Sequence, residues 1–598
     1  MPQIPSMRAN PVYFLLPISI RQAGLTALIL LINLPALYPA QAQDEAPQPS
    51  AAIMVNHEGY RAADEKVAMV SSALALPFIV QTEAEGVEIV RGLLQLRQPN
   101  DPNSGGNIWA ADFSVLQATG TYRLQVPGLG VSFPFEVAET RYRPLLLQSL
   151  RAIHWLRAGQ SVGEDFAGEW ARDPILPTET QRYRPEAATP EIVDITAGWL
   201  EGSSLGQFVT SGAYSAGLLM SLQATFPNAV PDGGLGLESG ANGTPDLLDL
   251  IRPQIDWLLH MQTEAGSFGH KRTPLEPVTS QASMPDALTV YLFDPATAST
   301  AGACAALAKA SRLYAPRDAT YAQTCREAAL RAWEYLEANP EPIVFENPEA
   351  VQTKAYPDQD DSDERFWAAI ELLLATDAAI FEDIAIAIAE KRLPLLSAAG
   401  YWGNVMPLAA AAVLTEATPE QVSATLREEL QQDLLSLAET IHQRAEQDAF
   451  GLTLDPGGFT WGSNATLMQN AFVLLLADRT AGLPEYRQTA MDQLHYILGR
   501  NPLNRSFVTG FGHAPPRHPY LPKPLQVQED QPFPGFLVGG ANATLNDGVL
   551  KSRFGESSPP ATVYADDAAS FASNEVAIEW NAVTAWVVAA LIEPPPQP

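Results

Sequence analysis

Cysteine is almost absent from this chain. Only Cys304 and Cys325 occur in 598 residues, neither in a metal-type cluster, so no disulfide framework defines the fold. From the sequence, a bridge between the two and a pair of separate buried thiols on neighbouring helices both remain open. Basic residues are also scarce: 36 Lys and Arg face 68 Asp and Glu, for a formal net charge of −32. Nucleic acid is excluded as a partner, because binding it needs a basic surface that neutralises phosphates. A neutral polysaccharide is compatible with such acidity, as is a need for solubility alone. After the first 42 residues no apolar run is long enough to span a bilayer.

What is present reads as a large globular protein. The hydrophobic fraction is 46% and the charged fraction 17%, and the length calls for at least two cores. Residues 1–42 read as a signal peptide: Arg8 and Arg21 precede the apolar run Ala23–Leu37, and Ala40-Gln41-Ala42 supplies a small-x-small cleavage pattern. A membrane anchor is the competing reading, disfavoured by the shortness of the run and by Asn33 and Pro35 within it. The mature protein is therefore expected to be secreted or periplasmic, without a membrane partner after cleavage, and monomeric. Asp44 to Pro49 is a polar leader.

From residue 51 to about 140 the pattern is β. Lys66-Val67-Ala68-Met69-Val70 and Tyr122-Arg123-Leu124-Gln125-Val126 are strand-like and are separated by turn-rich stretches such as Pro99-Asn100-Asp101-Pro102-Asn103, which suggests a sandwich. From 141 to 592 the period changes to 3.6. Leu247, Leu248, Ile251, Ile255, Leu258 and Leu259 form one stripe, in which Pro253 predicts a kink or a new start. Amphipathic runs follow at 301–314, 321–336, 364–375, 419–442, 465–477, 485–498 and 575–591. Helix after helix without strands predicts an all-α second domain whose long loops carry the binding residues. Residues 593–598 are a tail.

Two groups of residues carry a resemblance. Val55-Asn56-His57-Glu58-Gly59-Tyr60, followed by Lys66-Val67-Ala68, is similar to the opening of the immunoglobulin-like domain that precedes the catalytic module in one branch of glycoside hydrolase family 9. Near the C-terminus, Tyr564-x-Asp566-x4-Phe571-x3-Glu575-x-Ala577-x3-Asn581-Ala582 fits that family's second motif at every specified position. Asn242-Gly243-Thr244-Pro245-Asp246, His270-Lys271, Trp461-Gly462-Ser463-Asn464 and Leu498-Gly499-Arg500-Asn501-Pro502 also resemble the family. The resemblance spans residues 51–592. It implies a multidomain protein, an N-terminal immunoglobulin-like β-sandwich followed by an all-α (α/α)6 barrel with a substrate groove, acting on a β-1,4-linked glucan.

Inverting hydrolysis needs a protonated carboxyl at the leaving oxygen and, roughly 6.5–9.5 Å away, a carboxylate that activates water. By resemblance Glu575 is the acid, placed at the start of an apolar helix where burial could raise its pKa; a helix N-terminal Glu complementing the dipole is the alternative. The family's base region carries two aspartates that orient the water, the second being the principal base. Here the matching stretch is Gly198-Trp199-Leu200-Glu201-Gly202-Ser203-Ser204, with Glu201 at the first position and Ser204 at the second. A serine hydroxyl cannot take water's proton near neutral pH. The base position is therefore degenerate, and Glu201 or Asp194 must act if turnover persists. After Pro515-Pro516-Arg517-His518-Pro519 the family's His-x-Arg is replaced by Tyr520-Leu521-Pro522, so Arg517, His518 and Tyr520 are candidate substrate contacts in its stead. Trp199, Trp402, Trp461 and Tyr564 are candidate stacking platforms, with core packing as the alternative for each. His270 matches a substrate-contact position. Asp566 and Asp567 could orient Glu575, bind sugar or cap its helix. Arg505 and Asn501 read as loop-holding.

No cofactor is required by this chemistry. The segments that hold zinc ligands in some relatives, Leu156–Gly159 and Trp170–Pro174, have none here, so zinc is not expected. The acidic run Asp358, Asp360, Asp361, Asp363 and Glu364 could ligate calcium, although a solvated loop ahead of a helix is the plainer reading. Three functions follow: hydrolysis of a β-glucan, a catalytically degenerate glycan-binding protein, or an exo-acting glycosidase for a different glycone such as an amino sugar. A purely structural or adhesive role would predict an empty, non-aromatic groove.

Overall fold

The computed structural model describes residues 48–281, 288–455, 457–528 and 530–593. The expected signal peptide and residues 594–598 of the expected tail lie outside them. These described residues form one compact unit.

Ten strands open the described chain: β1 (Ile53–Met54), β2 (Tyr60–Arg61), β3 (Val67–Ser71), β4 (Pro77–Thr82), β5 (Glu88–Leu93), β6 (Gln95–Gln98), β7 (Ile108–Asp112), β8 (Gly120–Val126), β9 (Gly130–Val131) and β10 (Phe135–Ala138). They make two sheets, β1-β3-β7-β6 and β2-β10-β8-β4-β5, with β9 added on β8. Pairing is antiparallel except between β10 and β2. Along β8 the buried residues are Tyr122, Leu124 and Val126, the alternation that a sheet with one face in a core requires. Ala68, Val70 and Ala111 of one sheet pack with Val80, Leu124, Phe135 and Val137 of the other. On the opposite face of the first sheet, Met54, Met69, Ile108 and Ala110 join the core of the helical part. Burial on both faces explains why β3 reads as an apolar run.

The Asn56–Tyr60 stretch is the latch between the two parts. The His57 N–H donates to the Leu498 carbonyl at 2.9 Å, and the Asn56 side chain meets His495 at 2.9 Å and the Tyr142 hydroxyl at 3.3 Å. Burial pushes the His57 imidazole down to about 4. Its ring lies so close to Gly499 (φ +127°) that a Cβ there would sit 2.5 Å from it.

The helical part is built of helices with two kinds of face. Val209–Thr225, Thr297–Tyr314 and Ile578–Ile592 are buried almost all round, which marks them as central. By contrast Ala424–Gln447 buries a single stripe, Leu426, Leu430, Leu434, Leu437 and Ile441. Ile578–Ile592 packs on Arg143–Trp155, Val209–Thr225 and Ser463–Ala481, and Thr297–Tyr314 packs on Ala319–Ala338 and Ser362–Thr376. In this core Lys309 is fully buried and pairs with Glu371 at 3.0 Å; Arg312 and Glu416 complete the network. Cys304 and Cys325 are free, buried thiols.

Two expectations are corrected. The Asp246–Met261 helix is continuous through Pro253, so no new helix starts there; the buried stripe on both sides of the proline carries it. The second part also contains strands: β11 (Glu179–Arg182), β12 (Ile192–Asp194), β13 (Gln207–Phe208), β14 (Lys271–Thr273) and β15 (Tyr291–Leu292) form a sheet in the order β12-β11-β15-β14-β13. Segments of two to four residues inside loops are too short to show a period.

Candidate active site

Three segments meet at the start of the Ile578–Ile592 helix. Gly202 bridges to Ala577 and Tyr520 bridges to Glu575, while the Ile578 N–H donates to the Glu201 carbonyl at 2.9 Å. Gly202 (φ +117°) allows this approach, since a Cβ would stand 2.8 Å from the Val576 carbonyl oxygen. Glu575 itself is not helical: it is extended (φ −63°, ψ 153°) between the turn Phe571–Asn574 and the helix. The expectation of a helix running from residue 575 is thereby corrected to one that begins at Ile578. Extended geometry turns the Glu575 side chain away from the helix N-terminus and into a cavity.

That cavity has a volume of about 410 Å³, and Glu201, Lys354, Glu575 and Glu579 all line it. Around them stand Tyr356, Tyr401, Trp402, Trp461 and Trp580. Both Glu575 oxygens accept hydrogen bonds. Oε1 takes one from Lys354 Nζ at 2.6 Å and one from the Ser203 hydroxyl, and Oε2 takes one from the Trp461 indole N–H. Glu201 Oε2 accepts from the Ser211 hydroxyl at 2.7 Å, and Oε1 from the Tyr356 hydroxyl at 3.4 Å. Burial pushes the Glu201 carboxyl above its ordinary range; the Lys354 charge and the Ser211 hydroxyl pull the other way, and Glu575 adds to the rise. Glu579 is pushed well above its ordinary range, first by burial and then by the charge of Glu201. For Lys354, burial alone would favour the neutral amine, but Glu575 and Glu201 outweigh it and hold the ammonium above its usual value. The result is one cation serving three carboxyls, walled by aromatic faces of the kind on which sugar rings stack.

The residues expected to act fall into two groups. Glu201, Glu575, Trp402 and Trp461 share the cavity; Trp461 is 39% exposed and its ring centroid lies 5.3 Å from Lys354 Nζ. The others do not line it. Trp199 is fully buried in the core. Ser204 Oγ accepts from the Gly206 N–H within its own loop, and it is Ser203 that reaches Glu575. Asp194 lies exposed at the end of β12. His270 is buried, bonded to the Ser299 hydroxyl and the Ala355 carbonyl, each at 2.6 Å, and stacked on Phe345. Beside it Lys271, pushed down to about 7 by burial, donates to the Lys354 carbonyl at 2.7 Å. The His270-Lys271 pair thus fixes the backbone that carries Lys354 and Tyr356 into the cavity.

Asp566 and Tyr564 act on Glu575 at one remove. Burial would raise the Asp566 carboxyl, but the Arg517 and His518 backbone N–H groups and the Arg505 guanidinium hold it below its usual range. Its Oδ1 also accepts from Asn574, whose side-chain oxygen takes the Tyr564 hydroxyl at 2.6 Å. The Tyr520 N–H donates to the Asn574 carbonyl at 2.7 Å. These bonds fix the residue just before Glu575. The side chains of Arg517 and His518 line a different cleft of about 420 Å³ together with Lys523. Asp567 pairs with Arg553. Asn501 donates to the Tyr496 and Arg505 carbonyls, each at 2.7 Å.

At the two segments that hold zinc ligands in some relatives, Arg157 pairs with Glu238 at 2.6 Å and the Arg172 guanidinium donates to the Trp155 and Arg157 carbonyls. The acidic run is more buried than a solvated loop. Asp361, Asp363 and Glu364 are each nearly inaccessible, and Asp361 Oδ2, Asp363 Oδ1 and both Glu364 oxygens lack hydrogen-bond partners. All-oxygen donors suit calcium, but among the described residues no three such groups converge on one point as a bound metal requires. Asp363 Oδ2 accepts from the Val405 N–H at 2.8 Å, which ties the run to the loop bearing Tyr401 and Trp402.

Sequence reasoning missed Lys354, Tyr356, Ser203 and Glu579. Glu579 lies at an unspecified position of the second motif, and Ser203 sits beside the degenerate base position. Lys354 had only its rarity as a cation to mark it.

Known proteins are similar to this chain over most of its length. The sequence profile of glycosyl hydrolase family 9 matches residues 142–588, and that of the cellulase N-terminal ig-like domain matches residues 48–131. A xyloglucan-specific endo-β-1,4-glucanase of Bacteroides ovatus is 30% identical over 568 residues, covering 91% of this chain and 94% of its own. A cellodextrinase of Butyrivibrio fibrisolvens is 28% identical, covering 82% and 91%. Among solved structures, a metagenome-derived glycoside hydrolase family 9 endoglucanase superposes with a TM-score of 0.83 at 30% identity over 90% of this chain and 98% of its own. A mutant thermostable endoglucanase from Alicyclobacillus acidocaldarius gives 0.82 at 29%, over 91% and 100%.

Proposed function

This chain belongs to glycosyl hydrolase family 9, and on that premise we propose that it is an exported, monomeric hydrolase of β-1,4-linked glucan, whether a cellulose-like polymer or its oligosaccharides. The helical part is read as an (α/α)6 barrel with the Glu575 cavity in its groove. In this reaction Glu575 protonates the leaving glycosidic oxygen while Glu201 draws a proton from the attacking water, which inverts the anomeric centre. The observation that carries the reading is that Glu575 and Glu201 line one cavity among Trp402, Trp461 and Trp580. The names of the relatives, a xyloglucan-specific endoglucanase and a cellodextrinase, support the substrate class. Asp566 belongs to the machinery as a positioning residue, acting through Asn574. The reaction itself calls for no cofactor and zinc is not part of the reading; the Asp358–Glu364 run is where calcium could be held.

The test is Glu201→Gln assayed for reducing sugar on cello-oligosaccharides. Loss of turnover with oligosaccharide binding intact is expected; unchanged activity removes Glu201 from the mechanism. A second reading, glycan binding without hydrolysis, is favoured by the orientation of Ser204 Oγ into its own loop. Calorimetric binding of cellohexaose by wild-type protein that releases no sugar would establish it.

A further inference from the structure

The cavity has a buried carboxyl that occupies no specified position of the family motif. Glu579 is the second residue of the Ile578–Ile592 helix, four residues after the extended Glu575. It is 7% exposed and lines the same cavity as Glu201. A glutamate in a helix's first turn ordinarily serves the dipole, but Glu579 faces the Trp402 backbone, from a different loop, and lines the cavity. Its Oε2 has no partner in the protein. Leaving a buried carboxyl oxygen unmet is costly, which favours the protonated form of Glu579 in the wall of the cavity.

We propose that Glu579 supplies, from the helix, the second water-holding carboxyl that the loop lacks at Ser204, so that Glu201 and Glu579 grip the attacking water together. The inference rests on the hydrolytic reading of this cleft. Glu201 raises the proton affinity of Glu579, and two such buried carboxyls hold one proton between them more readily than none or two. The neutral member donates a hydrogen bond to the water and the ionised member accepts one from it. In the reaction the water oxygen forms a bond to the anomeric carbon as the glycosidic C–O bond breaks. The leaving oxygen takes the proton of Glu575, and the proton lost by water goes to the ionised member of the Glu201–Glu579 pair. Lys354 balances the charge that remains.

The test uses the full mature chain and four proteins: wild type, Glu579→Gln, Glu579→Ala, and Glu579→Gln combined with Ser204→Asp. Cellohexaose hydrolysis, cellohexaose binding by calorimetry and Tm are measured for each. Glu579→Gln is expected to lower kcat by about 100-fold or more, the scale of a lost general base, with binding and Tm retained. Ser204→Asp in that background is expected to restore about a tenth or more of wild-type kcat, and azide is expected to rescue Glu579→Ala by yielding the α-glycosyl azide, either of which marks a water site. If Glu579→Gln keeps most of its kcat, or if its loss is recovered neither by Ser204→Asp nor by azide, Glu579 has no such role. If wild type itself releases no sugar, the hydrolytic reading falls and takes this inference with it. A failure confined to Glu579 leaves that reading standing.

Discussion

Lys354→Met removes the single cation among the described residues that line the carboxyl cavity. Its ammonium touches Glu575 and lowers the proton affinity of both Glu201 and Glu579. A unit charge at about 5 Å in an effective dielectric of about 20 contributes about 3 kcal/mol. The Lys354 side chain is 39% exposed, so solvent screening reduces this to about 1–2 kcal/mol, which corresponds to about one pH unit. The sign follows from the charge: without the ammonium, the water-activating carboxyl needs a higher pH to ionise. The acid limb of the kcat/KM profile on a soluble cello-oligosaccharide should therefore move up by about one pH unit. Lys354→Arg, which keeps the charge, should leave the limb near wild type. Superimposable profiles for wild type and Lys354→Met would refute the electrostatic role, whatever happened to the maximal rate.

Lys309→Met leaves Glu371 and Glu416 without their buried ammonium, and breaking a buried pair from one side costs about 3–5 kcal/mol; thermal or urea unfolding should show it, and a variant as stable as wild type would mean the network adds nothing. Burial raises the Asp363 carboxyl to about 6, from an ordinary value of 3.8, with the Arg392 charge opposing. A raised folded-state value contributes stability below about pH 4 that is lost as pH rises through about 6. Metal-free protein should accordingly lose Tm across that window, and calcium added at neutral pH should restore it; a Tm unmoved by calcium or by chelator removes the calcium reading.

The second motif located the cavity before any coordinates did, because its residues sit where backbone geometry is fixed: Asp566 and Asn574 hold the turn, and Asn581 anchors the helix by accepting the Leu537 N–H and donating to the Gly535 carbonyl. The helices were legible as amphipathic runs, but that residues 578–592 are buried on every face, Glu579 and Asn581 included, was not. Less visible was anything assembled across long sequence distance. Lys354 lies 221 residues from Glu575, and only the folded loops bring them together. His270 and Lys271 looked like substrate contacts because motif matching reports position and not direction; they act behind the cavity wall, on the carbonyls of Ala355 and Lys354. The strands β11–β15 escaped notice because a two-residue pairing has no period to detect.

The degenerate base position has a further consequence for how the cavity works. In the loop, Gly202-Ser203-Ser204 gives up a carboxylate at residue 204 but places a hydroxyl at residue 203 against Glu575. The loop thus keeps one carboxyl, Glu201, and the cavity's other charges come from Lys354, Glu575 and Glu579. A cavity with three carboxyls and one ammonium is negative whenever more than one carboxyl is ionised, and burial favours the neutral forms of Glu201 and Glu579. The protonation state of Glu201 and Glu579, and with it the capacity to activate water, is therefore set by burial and by Lys354 together. Restoring Ser204→Asp alone in the otherwise wild-type chain adds a fourth carboxyl beside the same ammonium. By this argument it should raise the acid limb and lower activity at acidic pH, although it rebuilds the family's own motif. Higher activity at acidic pH in that variant would show that the loop position, and not the cavity's charge balance, limits turnover.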